Sequence, residues 1–147
     1  MKITIPKLIL NFRNSLRVFY YRLRGIRIGK YTYISPKAYI DKSGKNLIEI
    51  GENCYITRNC IILCHTQEYQ GGTLKLWGSS EIGKVKVGNN VFVGVDCVIL
   101  PNVTIGDNVV IGAKSLVNSD IPSNSVAFGT PCKKRKNLDE VIRYKKQ

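Results

Sequence analysis

No run of roughly 18 apolar residues occurs in the 147-residue sequence, so no segment is expected to span a membrane. The N-terminal stretch MKITIPKLILNFRNSLRVFYYRLRG is greasy, but Arg13, Arg17 and Arg22 cut its apolar runs short, so it is not read as a signal peptide. Cysteine is odd in number: Cys54, Cys60, Cys64, Cys97 and Cys132 cannot all pair, which predicts reduced thiols in a cytoplasm. Histidine occurs once, at His65, and tryptophan once, at Trp77. A single histidine excludes any metal centre that needs several imidazoles from one chain.

Acid is also missing where base is plentiful. Residues 1–30 hold eight Lys/Arg and no Asp or Glu, and residues 133–147 hold seven Lys/Arg against Asp139 and Glu140. The 102 residues between carry eight of each sign, so the net charge of +13 sits wholly on the two ends. A basic end meets phosphate on a nucleotide, a nucleic acid or a lipid surface, or is simply a solvated tail.

What the neutral middle does contain is a rhythm of six. Val87, Val93, Ile99, Ile105, Ile111 and Val117 recur at that spacing, and Gly88, Gly94, Gly106 and Gly112 follow four of them directly. Four residues after each aliphatic come Val91, Cys97, Val103, Val109 and Ser115, all small or β-branched. Six is a multiple of two and not of 3.6, which predicts short strands and turns, not a helix. Asn90 and Asn108 share a phase 18 residues apart, as in a coil with three flat sides, with Gly and Asn supplying the positive φ of its corners. The pattern extends upstream through Ile28, Ile34 and Ile40, then Ile50, Ile56 and Ile62. The insertion DKSGKNLIE separates those two triplets, and the longer loop 66–81 interrupts before Val87. Stacked coils of this kind bury a column of aliphatics along one axis.

His65 stands in IILCHTQEY, just after the second triplet and just before that loop. An imidazole, titrating near about 6.5, can accept a proton from a hydroxyl. Read from position alone, it is equally a packed or surface histidine with no task. Glu68 and Asp96 are the carboxylates considered for orienting it, and each is also readable as a solvated charge. Cys60, Cys64 and His65 are the conceivable metal set, but Cys54 and Cys60 stand one repeat apart as small core residues would, and no metal is expected.

Over residues 28–132, and most closely in VGNNVFVGVDCVILPNVTIGDNVVIGAKSLVNSDIPSNSVAFGTPC, the sequence resembles the hexapeptide-repeat acyltransferases. Its closing DIPSNSVAFGTPC resembles the end of the helix in the acetyl-CoA-dependent sugar acetyltransferases. The resemblance implies an all-β, left-handed parallel β-helix of triangular section. The hand comes from the resemblance alone, because parallel crossovers are otherwise right-handed.

The resemblance also implies acetyl-CoA as co-substrate, His65 as general base towards a carbohydrate hydroxyl in surface-polysaccharide assembly, and a homotrimer with sites between prisms. Backbone N–H groups near Gly94 are implied as oxyanion donors. Gly94, Val95, Ala113, Asn118, Ser119, Lys133 and Lys136 are implied to line the CoA path, with Lys134 and Arg135 adding to the basic patch. The sequence departs from the family pattern at Val95, which lacks a hydroxyl, at Ser119, which lacks an ammonium group, and at Phe92, which stands for a frequent tryptophan. Tyr69 and Trp77 in the loop are candidates to wall the acceptor pocket, with burial of the Trp77 ring as the alternative. Related carbonic anhydrases bind metal through three histidines, which this chain cannot supply.

Other acceptors stay open at this point: the amine of a nucleotide-linked amino sugar, serine, or an antibiotic. A non-catalytic basic scaffold for membrane or nucleic acid is the reading from another class. It accounts for the charge but not for His65 beside a loop, and nucleic acid is not expected as a partner.

The sequence divides into a basic amphipathic helix within 1–27, the β-helix 28–132, and a basic C-terminal helix in 133–147, with Asn137 and Glu140 spaced as a capping box. In the first segment Leu8, Phe12, Leu16, Phe19 and Leu23 form one helical stripe. Either the stripe caps the open first coil, or residues 7–24 lie on an anionic bilayer as a peripheral contact.

Overall fold

The computed structural model describes residues 12–67, 69–70, 73–74 and 80–144. Its body is a left-handed parallel β-helix with three faces, each a stack of two- to four-residue strands. The first face stacks Arg27–Ile28, Ile48–Ile50, Val85–Val87 and Thr104–Ile105. The second stacks Tyr33–Ile34, Tyr55–Ile56, Phe92–Val93, Val110–Ile111 and Ser125–Phe128. The third stacks Tyr39–Ile40, Ile61–Ile62, Val98–Ile99 and Leu116–Val117. Registers are in phase, so Ile34, Ile56, Val93 and Ile111 sit directly above one another.

The six-residue period is the cause of this shape. A two-residue strand shows one residue inward, and the chain must turn before the next. The inward column is buried from Ile28 through Val117. Each of its Val and Ile side chains contributes on the order of 1.5–3 kcal/mol by leaving water. At the corner positions the interior narrows and small residues fit: Cys54, Cys60, Cys97 and Ser115 are buried there beside Val91, Val103 and Val109. The Cys54, Cys60 and Cys97 thiols reach the carbonyls of Gly88, Gly94 and Gly112, each at 3.1 Å. All five cysteines are free and buried.

The corners take their positive φ from asparagine and other residues, not from the repeat glycines. Asn53, Asn90, Asn108 and Asn124 have φ near +55° and form a ladder of amide hydrogen bonds of 2.7, 3.1 and 3.0 Å. Among glycines only Gly25 and Gly129 have positive φ among the described residues, which corrects the expectation for Gly88, Gly94, Gly106 and Gly112. Those glycines are required by close approach. A Cβ on Gly94 would lie 2.6 Å from the Ala113 nitrogen, and one on Gly51 would lie 2.5 Å from the Gly88 carbonyl oxygen. Gly51→Ala must therefore push two coils apart, and thermal melting should show a midpoint lower by roughly 2–10 °C. An unchanged midpoint would contradict this account of the glycines.

Both breaks in the rhythm fall at one edge of the prism, where the chain passes from the third face to the first. The residues after Ile40 make the first break, before Ile48. The residues after Ile62 make the second, in which His65–Gln67 pairs antiparallel with Ser80–Ile82 and Tyr69–Gln70 with Thr73–Leu74.

The ends differ from expectation. Lys133–Asn137 is not helical: it is a strand antiparallel to Ser125–Phe128, extending the second face at its open edge. A helix (α2) runs over Leu138–Tyr144, and Asn137 Nδ2 donates to Glu140 Oε1 at 2.9 Å. At the other end the helix Phe12–Leu23 (α1) does cover the first coil, but not with the apolar stripe. Asn14, Val18 and Tyr21 are its buried residues. Phe12, Leu16, Phe19 and Leu23 face outward, and Leu8 lies outside the described residues. No helix among the described residues is long and apolar enough to cross a membrane.

Candidate functional site

The two insertions stack, and their contact creates the site. The turn after Ile40 carries Asp41, which is fully buried. One coil later the chain leaves the prism through Cys64 and His65. Asp41 Oδ1 accepts from the Ser43 N–H at 2.9 Å and the Ser43 hydroxyl at 2.6 Å. Asp41 Oδ2 accepts from the Cys64 N–H at 3.1 Å and the Cys64 thiol at 3.2 Å, and makes a short contact with His65 Nδ1. Burial opposes ionisation of Asp41, but the donors of Ser43 and Cys64 outweigh it and hold the carboxyl well below the usual range. A buried, ionised acceptor at Nδ1 selects the tautomer with hydrogen on Nδ1 and leaves the Nε2 lone pair for a ligand.

His65 itself is about one-third exposed, with its side chain at 37%. It lines a cleft of about 310 Å³ with Ser43, Gly44, Leu47, Cys64 and Ile82. Clefts of about 450 and 390 Å³ lie on the charged first face and beneath α1, and neither contains His65. The Cys64 thiol is pushed up to about 11 by burial and by the neighbouring Asp41. It is a hydrogen-bond donor and not a nucleophile. Asp41, Cys64 and His65 each offer a ligand atom within 4.8 Å of the others, a set that could hold a metal ion.

Among the described residues Asp41 is thus the carboxylate that meets His65. Asp96 sits at a corner with φ +58° and accepts from Asn59 Nδ2 at 3.0 Å. Glu68 and Trp77 lie outside the described residues, and Tyr69 is described only as part of its short strand. Asp41 was missed because it lies 24 residues from His65. The available signal was that both insertions follow the third strand of a triplet, and so fall on the same edge.

The residues expected along the acyl-donor path divide between two edges. Gly94, Val95 and Ala113 stack where the second face turns into the third: Gly94 abuts Ala113, and the Lys114 N–H donates to the Val95 carbonyl at 2.8 Å. Asn118 and Ser119 lie where the third face turns into the first, on the same edge as His65 and two coils further on. In one chain the third face separates the two groups. Lys133 and Lys136 are exposed on the added strand of the second face. Arg135 beside them donates to the Phe128 carbonyl at 3.3 Å and covers its ring. The Gly94 N–H itself is spent on the Ile111 carbonyl at 2.9 Å. Phe92 closes a stack with Tyr33 and Tyr55 on the second face.

The fold has counterparts. A family model described as bacterial transferase hexapeptide (six repeats) matches residues 84–119. A galactoside O-acetyltransferase of Lactococcus lactis is 33% identical over 132 residues, covering 77% of this chain and 63% of the relative. The chain thus spans less than two thirds of that relative's length. A maltose O-acetyltransferase from Clostridium difficile 630 superposes with a TM-score of 0.62 at 29% identity, covering 87% of this chain and 78% of the other. A galactoside acetyltransferase solved in complex with coenzyme A gives a TM-score of 0.69 at 25% identity, covering 93% and 78%.

Proposed function

We propose, from the premise that the chain belongs to the hexapeptide-repeat acyltransferases, that it moves an acetyl group from acetyl-CoA to a hydroxyl of a carbohydrate acceptor. The observation that carries this reading is the partly exposed imidazole of His65, held at Nδ1 by a buried carboxylate at the mouth of a cleft. Nε2 of His65 takes the proton of the acceptor hydroxyl as its oxygen bonds to the thioester carbon. His65 returns that proton to the sulfur when the C–S bond breaks. No acetylated enzyme is formed, in keeping with a Cys64 thiol held protonated beside Asp41.

The relatives named for galactoside and maltose support a sugar acceptor, and the surface-polysaccharide unit or its precursor is the proposed class. The acyl donor would run past Gly94, Val95 and Ala113 of one subunit towards Lys133 and Lys136, opposite the His65 edge of the next. That arrangement needs a homotrimer, and the outward side chains support one. The first face is charged, with Arg27 and Lys84 each 2.8 Å from Glu49. The other two show Tyr33, Tyr55, Phe92 and Val110, and Tyr39, Ile61, Val98 and Leu116. Two apolar faces and one charged face suit a closed ring of three, each prism touching two neighbours. The peripheral membrane contact expected of residues 7–24 fits the same reading, as a way to meet a lipid-linked acceptor.

The test is release of CoA from acetyl-CoA across free sugars, nucleotide sugars and oligosaccharides, with the acetylated product weighed by mass spectrometry. Acceptor-dependent release giving an ester is expected. Release only with amines would assign an N-acetyltransferase, and failure to bind acetyl-CoA would overturn the enzyme reading. Dialysis against a chelator should leave the rate unchanged. Loss that zinc restores would instead assign Asp41, Cys64 and His65 to a metal ion.

A further inference from the structure

The N-terminal helix is inside out for a capping helix. Its side towards the β-helix sets polar Asn14, Arg17 and Arg22 beside Val18 and Tyr21, and the reason lies in the first coil. Arg27–Ile28 and Tyr33–Ile34 each have a strand neighbour on one side only, so their outer backbone groups need partners. Asn14 donates to the Thr32 carbonyl at 3.0 Å and accepts from the Ile34 N–H at 3.1 Å. Arg17 donates to the Ile34 carbonyl, and Arg22 to the Ile28 carbonyl at 3.0 and 2.6 Å. Docking through these residues turns the opposite face of α1 outward. Phe12 is 77% exposed there, Leu16 53%, Phe19 58% and Leu23 69%.

At 100° per residue these four fall within one narrow stripe, diametrically opposite Asn14, Val18 and Tyr21. The flanks of the stripe are basic. Arg13, Tyr20 and Arg24 lie on one side and Arg22 on the other. The Arg24 guanidinium and Lys42 ammonium both sit 5.4 Å from the Tyr20 ring centre. No acid occurs in residues 1–30.

We infer that this face of α1 is a docking surface for an anionic lipid bilayer. The apolar stripe enters the acyl boundary while Arg13 and Arg24 along its free flank meet lipid phosphates, and Arg22 with the buried face stays bound to the β-helix. The charge distribution selects this occupant. A second copy of the same face would set arginine against arginine, and a purely apolar partner would leave the basic flanks without counter-charge. The inference stands on α1 alone and does not depend on acetyl transfer.

The experiment is co-sedimentation of the full chain with vesicles of phosphatidylcholine, alone and mixed with phosphatidylglycerol. Binding to the mixed vesicles should exceed binding to phosphatidylcholine at least tenfold and fall at high salt. The double variant Leu16→Ser, Phe19→Ser should lose binding at least tenfold while keeping its melting temperature, since both side chains are solvent-exposed. His65→Ala should bind as the unaltered chain does, which separates this test from that of the activity. No binding to the anionic vesicles, or binding that the double variant retains, would overturn the inference. So would a double variant whose main change is a smaller oligomer.

Discussion

Replacing His65 with alanine should lower kcat for transfer to a hydroxyl by about 100- to 10,000-fold, the range that positioned general bases supply. An alcohol is a poor nucleophile until its proton leaves, and among the described residues no other imidazole is present to take it. The side chain is about one-third exposed and packs at the mouth of a cleft, so the fold should survive. Equal melting curves for variant and parent check that directly. A rate that barely moves would remove His65 from the proton transfer and favour an amine acceptor, which needs less help from a base.

Asp41→Asn should be nearly as damaging, lowering kcat by about 100- to 1,000-fold with little change in KM. The substitution keeps size and shape but puts a donor where Oδ2 accepts from the Cys64 N–H, the Cys64 thiol and His65. Ser43 presents two donors to Oδ1, which leaves the amide nitrogen facing the Cys64 N–H and His65. That nitrogen can only donate, so His65 Nδ1 becomes the acceptor and its hydrogen moves to Nε2, where the base is needed.

A second readout follows from linkage. Folding depresses the Asp41 pKa, so the carboxylate's contribution to stability is fully present above the unfolded value of about 3.9 and is lost as pH falls towards the folded value. The difference in melting temperature between parent and Asp41→Asn should be flat above about pH 5 and shrink below about pH 4. A difference that persists unchanged in acid would mean that Asp41 is not ionised in the fold.

Much of this was legible in the residues. The column from Ile28 to Val117 announced a three-sided coil because a two-residue strand can bury only one side chain per face. His65 stood out by being single and by preceding the longer break in rhythm. What stayed hidden depended on stacking. Asp41 and His65 meet only because insertions after Ile40 and Ile62 fall on the same edge, and nothing local to His65 points upstream.

Of the two readings of α1, the apolar stripe as the capping face rests on the rule that such a stripe is ordinarily the buried one, and it fails here. Here the unpaired backbone of Tyr33–Ile34 and Arg27–Ile28 required donors, and Asn14, Arg17 and Arg22 supplied them. Lys133–Asn137 has no strand pattern of its own and pairs because Ser125–Phe128 offers it an open edge. The repeat glycines were assigned to corners by their freedom of φ, whereas contact between successive coils is what excludes a Cβ.

The central claim is that a buried, ionised Asp41 fixes the proton of His65 on Nδ1. Because the sequence has one histidine, long-range ¹H–¹⁵N correlation of the uniformly labelled protein reads that imidazole without assignment. At a pH well above the ordinary imidazole pKa of about 6.5, the account predicts a protonated Nδ1 and a bare Nε2, and the reverse in Asp41→Asn. A hydrogen on Nε2 in the unaltered protein would contradict it.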